Sequence, residues 1–89
     1  MSEAYVTYTL YNKDQDARTV ILEPWAEEWV VRKGSVISFD IFSNKPGLLE
    51  TALTSDYTIV YAWWGCRVKV TMDGVDETRT SLRIAAPFG

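Results

Sequence analysis

Asp56-Tyr57-Thr58-Ile59-Val60-Tyr61-Ala62-Trp63-Trp64-Gly65-Cys66-Arg67-Val68-Lys69-Val70-Thr71-Met72-Asp73-Gly74-Val75-Asp76 is the stretch whose reading decides the fold. In an extended backbone, successive side chains point to opposite faces, so a period of two separates the two surfaces of a strand. On that spacing Tyr57, Ile59, Tyr61 and Trp63 share one side. Cys66, Val68, Val70 and Met72 do the same, with Arg67, Lys69 and Thr71 turned the other way. Half-buried strands carry this mark. We read two apolar-alternating strands and a tight turn at Asp73-Gly74.

The same period recurs on either side. Tyr5 to Tyr11 reads as a strand with Val6, Tyr8 and Leu10 on one face, followed by a polar turn from Asn12 to Asp16. Arg18 to Glu23 is a second strand, with Val20 and Leu22 inward and Ile21 on the other face; Pro24 ends it or places it at an edge. Trp25 to Glu28 connects it to a strand opening at Trp29 and running to Val31, and Lys33-Gly34 reverses the chain. Ser35 to Phe42 sets Ile37, Phe39 and Ile41 against Ser38 and Asp40. Ser43-Asn44-Lys45-Pro46-Gly47 is a loop. Leu48 to Leu53 fits a helical turn or a short strand, and is too short for a helix of its own; we take an irregular strand. Thr78 to Ala85 is the last strand, with Leu82 and Ile84 inward, before the tail Pro87-Phe88-Gly89.

No long helical pattern interrupts this series, and turn signals return about every eight to twelve residues. The expected fold is all-β: a single antiparallel Greek-key sandwich of about seven strands over residues 1–89, with an immunoglobulin-like or cupredoxin-like shape and no metal. A small β-barrel is the alternative.

Composition bounds the function. A chain of 89 residues suits one domain, and at 47% hydrophobic it has apolar surface enough to fill a core rather than stay disordered. A net charge of −3, with no basic run longer than Arg32-Lys33, lacks the cationic stripe that binds nucleic acid or an anionic membrane. Met1-Ser2-Glu3-Ala4 leads straight into strand pattern without a charged-then-apolar leader, so we expect no signal peptide and a cytoplasmic protein.

The chain has no histidine, which removes Ser-His-Asp and Cys-His nucleophilic catalysis and histidine-bearing metal sites. Cys66, the single cysteine, reads as a small buried hydrophobe. Glu23, Glu27, Glu28 and Asp40 are the carboxylates available for acid–base chemistry; Glu27 and Glu28 read as solvated turn residues and Asp40 as water-facing. Asn12 to Asp16 places oxygen ligands at alternate positions, with Glu23 eleven residues after Asn12. Ala17 and Thr19 stand where a twelve-residue calcium loop needs a glycine and an apolar residue, so this is a hairpin turn rather than a cation site. No cofactor is expected, and no residue reads as catalytic or metal-binding.

The tryptophans carry the positive reading. Trp63 and Trp64 are adjacent and point to opposite faces, so if Trp63 enters the core with Ile59 and Tyr61, Trp64 turns outward or caps a sheet end. Trp25, Trp29 and Trp64 are the candidate interaction surface, the alternative being that these rings close the ends of a small core.

Glu23-Pro24-Trp25-Ala26-Glu27-Glu28-Trp29-Val30-Val31-Arg32-Lys33-Gly34, followed by Ser35-Val36-Ile37-Ser38-Phe39, resembles a hairpin pattern of a family of small bacterial β proteins without assigned function. The likeness covers about a fifth of the chain. It implies a β fold and carries over no activity. The proline, strand, glycine, strand order also resembles the entry into cupin barrels, without the histidine ligands of the metal-binding cupins.

The leading functional expectation is a non-enzymatic interaction module that binds a protein partner or forms a homodimer. A small-ligand or glycan-binding domain using exposed tryptophan is the alternative, and a carboxylate-based hydrolase ranks third.

Overall fold

The structure, a computed structural model, describes residues 4–83. Among these the chain forms two four-stranded sheets. Sheet I runs in the order β1 (Ala4–Tyr11), β4 (Val36–Ser43), β7 (Arg67–Met72), β8 (Val75–Asp76). Sheet II runs β3 (Glu27–Arg32), β2 (Ala17–Glu23), β6 (Tyr57–Tyr61), β5 (Glu50–Leu53). The chain crosses between sheets after β1, β3, β4 and β6, and the other connections are hairpins. The architecture is the expected all-β sandwich.

The core lies between the sheets. Sheet I contributes Ile37, Phe39, Ile41, Val68 and Val70, and sheet II contributes Val20, Leu22, Trp29, Val31 and Val60. Cys66 and Leu82 complete it. The Trp29 and Phe39 rings meet edge to face with centroids 5.5 Å apart, joining one sheet to the other. Each fully buried side chain of this size stabilises the fold by about 1.5–3 kcal/mol relative to an exposed one. β4 alternates buried and half-buried along its whole length, as its sequence period predicts.

Asp73-Gly74 makes the β7–β8 turn, with positive φ at both residues (51° and 81°), the requirement of a two-residue hairpin whose twist matches its strands. Beyond β8 the chain crosses to sheet II. The Thr78 hydroxyl stands in for a neighbouring strand, accepting from the Val70 N–H at 2.8 Å and donating to the Val70 carbonyl at 3.2 Å. The Trp29 indole N–H then donates to the Glu77 carbonyl, and the Arg79 guanidinium lies 4.3 Å over the Trp29 ring. This strap ends in a short 3-10 helix, Thr80–Arg83, which plugs the core with Leu82.

Several expectations change. The two strands of the 56–76 stretch belong to different sheets, β6 to sheet II and β7 to sheet I. Thr58 and Val60, not Ile59 and Tyr61, are the buried residues of β6; Tyr57 and Tyr61 are exposed. Thr58 tolerates its inward position because Arg18 Nε donates to its Oγ1 at 2.7 Å. The sandwich is not wholly antiparallel: β2 and β6 pair in parallel, because the inner strands of two hairpins meet side by side running the same way.

The stretch from Thr78 is strap and helix rather than strand; Ile84, Ala85 and the Pro87-Phe88-Gly89 tail lie outside the described residues. Asn12 to Asp16 is a crossover between sheets, not a hairpin turn. Asn12 is buried there, its side-chain amide donating to the carbonyls of Val31 and Gln15. Leu48 to Leu53 resolves into the edge strand β5 at Glu50–Leu53.

Candidate functional site

The tryptophans divide. Trp29 is 3% exposed and belongs to the core, so it offers no surface to a partner; the inward parity of β3 decides this. Trp25 is half-buried and packs on the core from the β2–β3 connection. Trp63 packs there too, its ring lying against Gly47 so closely that a Cβ at that glycine would collide with it. Its indole N–H donates to the Lys45 carbonyl. Trp64 sits at the tip of a turn closed by Cys66 N–H to the Trp63 carbonyl, with Gly65 at φ 91°, and is 45% exposed. Trp25 follows the end of β2 and Trp63-Trp64 the end of β6, and these ends are tied by Ala62 N–H to the Glu23 carbonyl, 2.9 Å. The rings thus gather at one end of the sandwich.

The larger exposed apolar feature is the outer face of sheet II, which the reading from tryptophans missed. Strand register builds it row by row. Thr19 lies between Val30 of β3 and Tyr57 of β6. In the next row Ile21 lies between Glu28 and Ile59, and Ile59 is flanked on its other side by Ala52 of β5. In the third row Tyr61 lies between Glu23 and Glu50. Val30 is 57% exposed, Tyr61 39% and Tyr57 38%, while Ile21, Ile59 and Ala52 are half-buried by their neighbours. Ile21, Val30, Ala52, Tyr57, Ile59 and Tyr61 therefore form one contiguous apolar surface across four strands.

Its margin is acidic. Glu23, Glu28 and Glu50 bound it, and among the described residues none of the three makes an ion pair or a side-chain hydrogen bond. Arg32, one row beyond Val30, stands at the opposite margin.

The outer face of sheet I is of another kind. Thr7 donates to Asp40 at 2.9 Å, and Thr9 and Ser38 share a hydrogen bond of 2.9 Å. Lys69 and Thr71 continue these rows on β7. Tyr11 and Phe42 appear only at the two ends.

The carboxylates singled out in the sequence are dispersed. Glu27 is not a solvated turn residue: it opens β3, pairs with Arg79 at 3.3 Å and accepts from the Ser81 hydroxyl at 2.7 Å, anchoring the strap. Asp40 lies on the opposite sheet, held by Thr7. Asn12 Oδ1 already accepts from the Gln15 N–H, within the loop whose oxygen spacing partly matches a calcium loop. Among the described residues no three Cys, Asp or Glu side chains cluster as a metal site requires. Burial pushes the Cys66 thiol pKa up, against the opposing pull of hydrogen bonds with Trp63 and Ser43, which keeps it a protonated packing residue.

A groove of about 540 Å³ runs beside β7, lined among the described residues by Phe42, Arg67, Val68, Lys69, Asp76, Thr78 and Leu82. Two of its polar groups already serve the fold: Thr78 is bonded to Val70, and Asp76 accepts from the Thr78 N–H at 2.8 Å. No tryptophan lines it, so the ring-and-cleft arrangement of a sugar site is not assembled there.

A sequence signal for the sheet II face did exist. Val20-Ile21-Leu22 and Ile59-Val60-Tyr61 are apolar at consecutive positions, the pattern of strands greasy on both sides. Comparison of the chain with protein-family models, with curated proteins and with solved structures returned no match, so the reading of its function rests on this geometry.

Proposed function

We propose that this chain is a non-catalytic interaction module whose binding surface is the outer face of sheet II. One observation carries the reading. β2 and β6 form a parallel pair with continuous apolar runs, the pattern of strands covered on both faces, and within the described residues only the inner face is covered. The uncovered side presents Ile21, Val30, Ile59, Tyr57 and Tyr61 together. Tyrosine at such a surface combines a large apolar ring with a hydroxyl that bonds a partner, which is why it is enriched at interfaces.

The partner is a protein. An apolar surface with carboxylates on its margin has the wrong sign for phosphate, whether of nucleic acid or of an anionic membrane. Among the described residues no helix is long and apolar enough to cross a membrane. The single thiol, unpaired and buried, suits a reducing compartment such as the cytoplasm.

A photo-crosslinking residue placed at Tyr61, and in a second protein at Thr9 on the opposite sheet, tests this in the producing cells. The expected result is a discrete protein adduct at Tyr61, to a second copy or to another chain, that disappears with Ile59→Lys and is absent at Thr9. Equal or absent labelling at the two positions contradicts it.

A further inference from the structure

We infer that the outer face of sheet II receives a basic amphipathic helix from another protein rather than a second copy of this chain. The inference rests on the proposal that this face is the binding surface, and it adds what binds there.

Shape comes first. Four strands about 4.8 Å apart give the face a width of roughly 14 Å, and β6 from Tyr57 to Tyr61 gives it a length of roughly 13–17 Å. A single α-helix, about 10–12 Å across, covers most of that width, and two to three of its turns at about 5.4 Å each cover the length. Laying a helix by its apolar stripe on an apolar sheet face is how layered folds bury such surfaces. Here the helix comes from outside the chain.

Charge selects the kind of helix. Glu23 and Glu50 flank Tyr61 on both sides, and Glu28 flanks Ile21, so three carboxylates border the apolar rows. Among the described residues none of the three has an ion-pair partner. Arg32 is the one cation placed on the margin of this face among the described residues. A face-to-face pair of copies would bring the same patch against itself. Each copy would bring three glutamates and one arginine to that contact, so two net-negative margins would meet between chains each already at −3. A helix with an apolar stripe and Lys or Arg along its borders matches both parts of the surface. The borders supply the like-charge exclusion that turns away acidic helices.

The test uses the full chain, isotope-labelled, titrated with two synthetic helical peptides of about 18 residues, long enough to hold helix in water. Both carry a leucine stripe; one is bordered by lysine and the other by glutamate. The lysine peptide is expected to shift the backbone resonances of Ile21, Val30, Ala52, Ile59 and Tyr61 and to leave Thr7, Thr9, Ser38 and Thr71 in place. The glutamate peptide is expected to bind at least about tenfold more weakly, and raising salt is expected to narrow that gap. Ile59→Lys removes binding of the lysine peptide, and Thr9→Lys leaves it intact.

Failure of the lysine peptide to shift the sheet II face overturns the inference, as do shifts confined to the strand edges. Equal binding of the two peptides overturns its charge argument and leaves the binding face standing. Concentration-dependent dimerisation through Tyr61 and Ile59, read by sedimentation, overturns the choice of a foreign helix and again leaves the face standing. Only the absence of every such contact, with peptide and with self, removes both.

Discussion

Sheet I and sheet II bury much the same kind of inner face and turn opposite ones outward. Inside, Phe39 and Ile41 of β4 meet Trp29 and Val31 of β3 as equals. Outside, sheet I shows Thr7 bonded to Asp40 and Thr9 bonded to Ser38 across strands, with Lys69 and Thr71 beside them in the same rows. Sheet II shows Ile21, Val30, Ile59, Tyr57 and Tyr61. An antiparallel sheet with one face in water needs only one apolar surface, and sheet I meets that need. Sheet II, with a parallel pair at its centre, has two. Packing within the described residues uses one of them. The second is surface without an internal use, and that difference between the sheets is the basis for reading sheet II as the side that works.

Changes to the inner faces are expected to be the most costly and to show the sheets as equivalent there. Phe39→Ala from sheet I and Trp29→Ala from sheet II should each lower stability by about 3–5 kcal/mol in urea unfolding. A markedly smaller loss for either would mean that the two sheets do not share the core as described.

Next in size is Arg18→Ala. Arg18 holds Thr58 Oγ1 through Nε and the carbonyls of Thr54 and Tyr57 through Nη2. Its removal leaves a buried hydroxyl on β6 without that partner, at a cost of about 1–3 kcal/mol. Arg18→Ala combined with Thr58→Val should recover part of the loss. If the double variant is no better than the single, Arg18 does not determine which way β6 faces.

That facing is also where sequence reading met its limit. β4 was legible because its two faces differ in kind: Ile37, Phe39 and Ile41 alternate with Ser38 and Asp40, and no other register satisfies both. β7 was legible for the same reason, Val68 and Val70 against Arg67 and Lys69. β6 offers Tyr57, Ile59 and Tyr61 on one side and Thr58 and Val60 on the other. Counting apolar area favours the tyrosine side, which is the wrong one. The decision belongs to Arg18, forty positions away from Thr58 in sequence and in contact with it only once the strands have paired. The candidate surface was hidden by the same ambiguity, since a strand apolar on both faces gives no sign of which face the core takes. The tryptophans drew attention because of their size, yet Trp29 went to the core and Trp25 and Trp63 pack against it.

Smaller effects are expected outside. Ile59→Lys, half-buried on the sheet II surface, should change stability by no more than about 1 kcal/mol. The same substitution at Val60, its buried neighbour, should prevent folding. Equal outcomes at the two positions would erase the distinction between the faces of β6.

The smallest effect belongs to the exposed turn of sheet I. The Val36 N–H donates to Asp73 Oδ1 at 2.9 Å, and this bond, together with one from Ser35, holds the Asp73 carboxyl below its ordinary value of 3.8. Its folded pKa lies below its unfolded one, so its contribution is present above the unfolded value and is lost as pH falls through the folded one. Asn tolerates the positive φ of this position. Asp73→Asn should therefore lower Tm slightly at pH 7, with the gap closing in acid below about pH 3.8. A gap that persists unchanged in acid would show that the charge is not what matters.

The contrast between the two outer faces is tested most directly with Nile red, a neutral dye that the acidic margin does not repel. The native protein is expected to enhance its fluorescence at temperatures far below unfolding. Ile59→Lys should abolish that enhancement and Thr9→Lys should preserve it, with the urea midpoints of both variants close to that of the parent. Native protein that leaves the dye dark, or a loss of signal as large from Thr9→Lys as from Ile59→Lys, would contradict the account.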